Sequence, residues 1–170
     1  MKKQRFSKKQ VSQVRKAFEI ACDIVGDKFH VRNFSDLRSP VELCTISETR
    51  CEIGEPKALA QVQEISYLTS SNHRAVNVYQ VALVDHAILE LIDKEKREIE
   101  LQPLLVYILV HELIHVMRFT RYHCLVAEPA NVRGKEETQV HTMAYDLLKS
   151  QPIPGLDKVL ERFSGSREAV

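Results

Sequence analysis

The chain has 170 residues and a formal net charge of +1, so it is long enough to bury a core as one domain, residues 1–170, and its charge favours neither nucleic acid nor a membrane as a partner. The longest unbroken apolar run, residues 104–110, is far shorter than the roughly 20 residues of a transmembrane span, and no signal peptide is visible. We therefore expect a cytoplasmic protein. The four cysteines contain no CxxC pair and are interpreted as free thiols, although Cys44 and Cys51 could pair in an oxidising compartment.

The first predicted element is an amphipathic helix near the N-terminus. Ser7 and Gln10 have the spacing of a capping box, and apolar residues then recur at helical intervals until Gly26. The segment that follows, residues 29–57, is interrupted by two prolines and a glycine. Such residues break long elements, so we expect short pieces and loops there.

The middle of the chain reads as two strands followed by a short helix. Residues 58–67 and 75–84 are rich in Val, Ile and Tyr and are separated by a polar connection, which predicts a β-hairpin. Residues 85–100 are apolar at first and highly charged later. This pattern is typical of a short helix followed by an exposed linker.

Two longer helices are predicted in the second half of the chain. Pro103 stands where the first turn of a helix tolerates proline, and the helix it opens is expected to run to about Thr120. A loop containing Pro129 and Gly134 should precede a second helix over about residues 135–149. One more short helix is expected in the C-terminal tail.

The helix after Pro103 carries the segment HELIH. His111 and His115 are four residues apart, so both imidazoles project from one helix face and can share a metal. Glu112 is rotated by about 100° from His111, which keeps it near the metal but off the line of ligands. This is the HExxH pattern, in which histidines hold zinc and the glutamate takes a proton from a zinc-bound water. The sequence therefore predicts a zinc cofactor with Glu112 as general base.

A catalytic zinc usually takes three protein ligands, so a third residue is needed. His123 is the nearest histidine, but on a continuous helix it would lie about 12 Å along the axis from His115. The metzincin pattern does not supply it either, because Arg118 and Arg121 stand where glycine and the third histidine are required.

The second helix offers Glu136, Glu137 and His141. Glu137 is in phase with the apolar stripe of that helix and is a reasonable third ligand. Glu136 is displaced by about 100°, so we expect it at the solvent side or helix edge, interacting with the N-terminal helix dipole. His141, one turn after Glu137, is expected to orient a ligand or to face the substrate.

Together these segments resemble the ImmA/IrrE family of small zinc peptidases. That family has HELxH on one helix and E-x-x-A-N-x-F-A-x-x-L-L on a second. Here HELIH, with Ile114 in place of the usual glycine, is followed by ETQVHTMAYDLL, and the resemblance covers about residues 105–148. It implies that Glu137 is the third ligand. It also implies an α+β minimal zincin fold, in which a small antiparallel or mixed sheet with an edge strand for substrate packs on the two site helices.

Several other polar and aromatic residues have weaker claims to a role. A tyrosine or histidine commonly stabilises the oxyanion in zinc peptidases, and the candidates Tyr122, His123 and His141 are not distinguished by sequence. Tyr107 and Tyr145 are expected to pack in the core. The remaining histidines are expected to be surface or ordinary structural residues: His30, His73 and His86.

Two classes of function fit these residues. The first is a metallopeptidase that hydrolyses a peptide bond in a protein or peptide substrate, with Glu112 as general base. The second is a binding or regulatory module that retains the metal without turnover and recognises its partner through a strand edge. A structural zinc needs no base beside an open coordination position, so Glu112 favours the enzyme. The pattern identifies neither the substrate nor the oligomeric state.

Overall fold

The computed structural model describes residues 4–45, 58–71, 73–95, 98–122 and 130–167. This part of the chain contains five α-helices and three β-strands, so the fold is α+β as predicted. In chain order the elements are α1 (Lys8–Phe29), β1 (Val41–Thr45), β2 (Ala60–Leu68), β3 (Ala75–Leu83), α2 (Asp85–Lys94), α3 (Leu101–Tyr122), α4 (Ala130–Leu148) and α5 (Leu156–Arg162). Two short 3₁₀ helices, Phe34–Asp36 and Ser164–Arg167, complete the set.

The three strands form a mixed sheet in the order β1-β3-β2. β2 and β3 are antiparallel, with Ala60 opposite Leu83 and Leu68 opposite Ala75, which confirms the predicted hairpin. β1 runs parallel to β3 and was not predicted, because its five residues lie in a segment that reads as loop. β3 is buried from residue 78 to residue 83, as expected for a strand with neighbours on both sides.

α3 is the central element of the core. Every residue from 103 to 117 is buried, and α1, α4, α5 and β2 all contact this helix. α1 supplies a stripe of small and branched side chains at helical spacing, which lets the two helices approach closely. The buried members of that stripe are Val14, Ala17, Ala21 and Val25.

α3 is also the one helix of the described ranges whose length and composition would suffice to cross a membrane. The candidate stretch is Leu101–Arg121, and 83% of the 18-residue segment of it that meets this hydropathy criterion is buried inside the protein. A core helix enclosed by its own fold passes the same test, so this is weak evidence for a span.

α1 continues beyond Gly26, where the sequence predicted its end. The predicted capping box is present: the Ser7 hydroxyl accepts from the backbone N–H of Gln10, and Ser7 N–H donates to the Gln10 side chain. The helix ends at His30, which adopts the left-handed conformation with φ 57° and ψ 42°. A Cβ at Gly26 would lie only 2.5 Å from the carbonyl oxygen of Val31. Gly26 is therefore required by the close return of the chain and does not terminate the helix.

α4 begins at Ala130, about five residues before its predicted start. Gly134, predicted to lie in the preceding loop, is inside the helix, and nothing lies within 4 Å of a Cβ added there. Glycine costs a helix interior about 1 kcal/mol relative to alanine, which tertiary packing can offset. The longer helix places Glu136 and Glu137 in its second turn, away from the first-turn N–H groups.

Substituting the two helical glycines by alanine should have opposite effects. Gly26→Ala should lower the free energy of unfolding by about 1 to 3 kcal/mol, because its methyl group meets backbone atoms that cannot move independently. Gly134→Ala should raise it by about 0.5 to 1 kcal/mol through helix propensity. Denaturant unfolding of both variants beside the wild type measures this, and equal effects would contradict the account of Gly26.

Candidate metal centre

The segment HELIH lies on the part of α3 that faces α4. His111, Glu112 and His115 are all buried, with 7 to 9% of their surface exposed. The Nε2 atoms of His111 and His115 are 3.2 Å apart. The two imidazoles therefore converge on one point, as their four-residue spacing predicts.

Glu137 of α4 completes this convergence. Its Oε2 lies 3.3 Å from Nε2 of His111, and its Oε1 lies 3.0 Å from Nε2 of His115. The side chain is 51% exposed, because it stands on the open side of the site with only its carboxylate turned to the imidazoles. Glu137 thus meets both histidines, although the sequence analysis placed it on a buried stripe.

The spacing of these atoms fits a tetrahedral zinc ion. With ligand bonds of about 2.0 to 2.2 Å, neighbouring ligand atoms of such a site lie roughly 3.3 to 3.6 Å apart. The nitrogen–nitrogen and nitrogen–oxygen separations given above are at or slightly below this range. Within the described part of the chain, Nδ1 of both His111 and His115 is buried without a hydrogen-bond partner. The polar contacts of these rings are therefore concentrated at Nε2, where a metal would bind.

His141 stands beside the same point, one turn after Glu137 on α4. The ligand atoms of His111, Glu137 and His141 lie within 4.8 Å of one another and form a possible metal-binding group. Nε2 of His141 is 3.9 Å from Oε2 of Glu137, farther than either of the α3 histidines. We therefore place His115 rather than His141 in the innermost set.

Tyr107 holds the other side of the His141 ring. Its hydroxyl is 2.8 Å from Nδ1 of His141, and this hydrogen bond leaves Nε2 directed toward Glu137. Tyr107 is buried in the core, as predicted, but its hydrogen bond with His141 was not predicted. A signal was present, because Tyr107 precedes His111 by four residues and so shares the metal-facing stripe of α3.

An open cleft of about 400 Å³ lies over the histidines. One wall is the α3 stripe, the opposite wall is the start of β2 with the residues before it, and α4 and Phe163 close the remaining side. Glu112 reaches this cleft together with His111 and His115. Among the described residues that line the cleft, Glu112 and Glu137 are the only charged carboxylates and there is no lysine or arginine. The other lining residues are Ala58, Leu59, Ala60, Gln61, Val62, Tyr107, Ile108, His111, His115, Phe119, His141 and Phe163.

Burial dominates the electrostatics of the metal-free site. It raises the pKa of Glu112 to about 7, with the carboxylate of Glu137 adding to the effect and His115 opposing it. Burial also opposes the charge on Glu137, but hydrogen bonds with His111 and His115 outweigh it and hold that pKa well below its ordinary value. The two glutamates consequently differ: the pKa of Glu137 is lowered, which favours its anionic form, and the pKa of Glu112 is raised to about 7.

The pKa values of the three histidines are shifted in different directions. Burial lowers the pKa of His111, and burial together with the neighbouring His111 lowers that of His141 to about 4. Burial acts the same way on His115, but its hydrogen bond with Glu137 and the charge of Glu112 produce a net increase. Neutral imidazoles keep the lone pair that a metal requires, so His111 and His141 are ready donors at pH 7.

Glu136 is not at the solvent-facing position that the sequence predicted. Its carboxylate is paired with Arg118 of α3, at 2.5 Å from Nε and 2.9 Å from Nη2, and its side chain is only 15% exposed. The expected contact with the N-terminal dipole is wrong because α4 begins five residues earlier than predicted, at Ala130. The solvent-facing position is wrong because Arg118 of α3 lies on that side of α4 and pairs with the carboxylate.

The other candidate residues are placed as follows. His123, and the side chain of Tyr122, lie outside the described residues, so His141 is the oxyanion candidate that the structure brings to the cleft. His30 and His73 are exposed, in line with the prediction. Cys22 and Cys44 are not joined to each other, and Cys51 and Cys124 lie outside the described residues.

We expect the purified protein to bind about one zinc ion per chain. His111→Ala, His115→Ala and Glu137→Ala should each remove a ligand and weaken zinc binding by about 100-fold or more. His86→Ala, which changes a histidine of α2, is the matched control. Competition with a chromophoric chelator provides the affinities, and tight stoichiometric zinc in the Glu137→Ala variant would contradict the assignment.

The raised pKa of Glu112 implies a pH-dependent stability of the metal-free protein. Because the pKa of Glu112 in the folded state exceeds the 4.5 of an unperturbed glutamate carboxyl, the folded state binds more protons than the unfolded state, and stability is lost as the pH rises through about 7. Glu112→Gln should therefore gain about 3 kcal/mol relative to wild type between pH 5 and pH 9. Denaturant unfolding with EDTA at both pH values tests this, and a constant difference between the two proteins would refute it.

The chain has no match among protein-family models, curated proteins or solved structures. The resemblance to the ImmA/IrrE family accordingly stays a prediction based on HELIH and on the helix that carries Glu137.

Proposed function

We propose that this protein is a zinc-dependent peptidase with a minimal zincin fold. His111, His115 and Glu137 are the proposed metal ligands, and Glu112 is the proposed general base. The observation that carries the proposal is the convergence of two buried imidazoles and one carboxylate within 3.0 to 3.3 Å, beside a second buried carboxylate in the same cleft.

The different positions of Glu137 and Glu112 support a catalytic role for the site. Glu137 contacts both imidazoles, whereas Glu112 lies on the α3 side of the cleft as the residue after His111. A zinc ion held by such ligands supplies Lewis-acid chemistry, polarising a carbonyl and acidifying water. Glu112 would take the proton of the attacking water and later deliver it to the departing amine.

His141 is positioned to assist at the same carbonyl. Its ring is fixed by the hydrogen bond to Tyr107, and it lines the cleft beside Glu137. With the Tyr107 hydroxyl donating to Nδ1, the proton of His141 is on Nε2 and faces the cleft. It can then donate a hydrogen bond to the oxygen on which negative charge develops during hydrolysis.

The cleft walls favour an extended peptide with apolar side chains near the scissile bond. The start of β2 lies along the cleft, opposite the histidines, and a peptide laid beside a strand is a common mode of recognition. Leu59, Val62, Phe119 and Phe163 contribute apolar surface to the walls. Acidic side chains of a substrate would meet the carboxylates of Glu112 and Glu137, and the described lining residues include no lysine or arginine to offset them.

Replacing the proposed base separates a peptidase from a metal-containing module without turnover. Glu112→Gln should keep the zinc content of the wild type and lose peptidase activity by about 100-fold or more, because the side chain can no longer accept a proton. The assay uses zinc-loaded protein and unstructured peptides with leucine and phenylalanine at successive positions. Glu42→Gln, which changes a carboxylate on β1, serves as the control.

Two results would contradict this function. Activity that survives in Glu112→Gln would exclude the assigned base. A wild-type protein that binds zinc but cleaves none of the peptides would favour the alternative, a binding or regulatory module.

A further inference from the structure

The turn of α4 that carries Glu137 contacts the rest of the protein mainly through polar side chains. Among the described side chains of α4, residues 134–148, the buried apolar ones are Val140, Ala144 and Leu148. None of the side chains of residues 134–139 is buried. Within this described part of the helix, Glu137 therefore precedes the buried apolar residues and is not itself held by hydrophobic burial.

Besides the two histidines of HELIH, which meet Glu137, Arg118 of α3 contacts this part of α4. Its guanidinium donates to both oxygens of the Glu136 carboxylate, from Nε to Oε1 at 2.5 Å and from Nη2 to Oε2 at 2.9 Å. Nη2 also donates to the Gln139 side chain. A further contact joins Nη1 to the sulfur of Met143 at 3.9 Å. One side chain thus holds three residues on the face of α4 that meets α3.

The place of this pair in the two helices couples it to the metal centre. Arg118 follows His115 by three residues on α3, and Glu136 immediately precedes Glu137 on α4. The ion pair therefore lies about one helical turn from the contact between His115 and Glu137. A small rotation or shift of this turn of α4 would carry the Glu137 carboxylate away from the imidazoles.

We propose that Arg118, through its paired contact with Glu136, is a positioning residue that holds Glu137 against His111 and His115. This inference deepens the proposed function and depends on the metal centre assigned there. Arg118 touches neither substrate nor metal in this role; it acts through the orientation of α4.

The guanidinium suits this role better than an ammonium group. A planar fork binds both carboxylate oxygens at a fixed angle, so it constrains the rotation of the helix as well as its distance. Both partners are largely withdrawn from solvent, with side-chain exposures of 16% for Arg118 and 15% for Glu136. Water therefore competes little for the pair, which keeps its geometry well defined.

An electrostatic role and a positioning role of Arg118 predict opposite changes in zinc affinity when Arg118 is replaced. The Glu136 carboxylate is close enough to interact electrostatically with His115. If Arg118 acted only through its charge, Arg118→Gln would remove a cation and expose an anion near the site, and zinc would bind more tightly. If Arg118 positions Glu137, the same variant must bind zinc more weakly.

The experiment measures zinc affinity by chelator competition for the wild type, Arg118→Gln, Arg118→Lys and Leu148→Ala. Arg118→Gln should weaken binding by about 10- to 100-fold, the range seen when a residue that orients a ligand is lost. Arg118→Lys keeps the charge but not the fork, and should weaken binding by about 10-fold. Leu148→Ala loosens the apolar packing of α4 far from the ligand turn, and should leave the affinity of the folded protein within about two-fold of wild type.

Cobalt substitution provides a second readout that a loss of stability alone would not change. The visible absorption of bound Co²⁺ depends on the number and geometry of its ligands, so both Arg118 variants should alter the band shape while Leu148→Ala keeps it. Thermal unfolding with EDTA identifies the temperature at which every variant is folded, and all affinities are measured below it. If Arg118→Gln does not fold, Arg118→Lys still decides the question.

Three outcomes would overturn the inference. If Arg118→Lys has the zinc affinity and cobalt spectrum of the wild type, the planar guanidinium is not needed. Tighter zinc binding by Arg118→Gln would show that charge dominates. Equal losses in Leu148→Ala and Arg118→Lys would assign the effect to general stability. In each case a wild type that binds zinc and cleaves peptide leaves the proposed function intact, whereas a wild type without zinc affinity removes both.

Discussion

The candidate site depends on the meeting of one carboxylate of α4 with two imidazoles buried on α3. An imidazole pair inside an apolar helix loses its hydration on folding, and its free energy must be recovered by a partner. Glu137 supplies that partner at 3.0 and 3.3 Å. The rest of the fold serves this contact: α1 covers one side of α3, the sheet provides the opposite cleft wall, and α4 carries the carboxylate across.

The local parts of this arrangement could be read from the sequence. The spacing of His111 and His115 predicted a shared face, the phase of α4 favoured Glu137, and the hairpin of β2 and β3 followed from strand-forming residues around a polar turn. Each inference needed only the geometry of a single helix or hairpin. For that reason each was insensitive to errors at the ends of the elements.

The parts that were missed involve contacts between distant elements. β1 pairs with β3, which lies about forty residues later in the chain. A strand of five residues does not contain enough information to predict such a distant partner. The contacts of Arg118 with Glu136 and of Tyr107 with His141 depend on how α4 lies on α3. The environment of Glu136 was misjudged because the phase of a single helix does not show which side chain of a neighbouring helix lies opposite it.

The stripe formed by Tyr107, His111, His115 and Phe119 also sets the dimensions of the cleft. Twelve residues of α-helix separate its two aromatic ends, a rise of about 18 Å, which equals the length of about five residues of extended chain. Each four-residue step turns the stripe by about 40° around the helix, so its ends point in directions about 120° apart. Tyr107 therefore stacks on Phe163 at one end while Phe119 meets Tyr79 of the sheet at the other. A peptide lying along the stripe would meet Tyr107 and Phe163 at one end and Phe119 and Tyr79 at the other. The two possible N-to-C orientations of the peptide are therefore not equivalent.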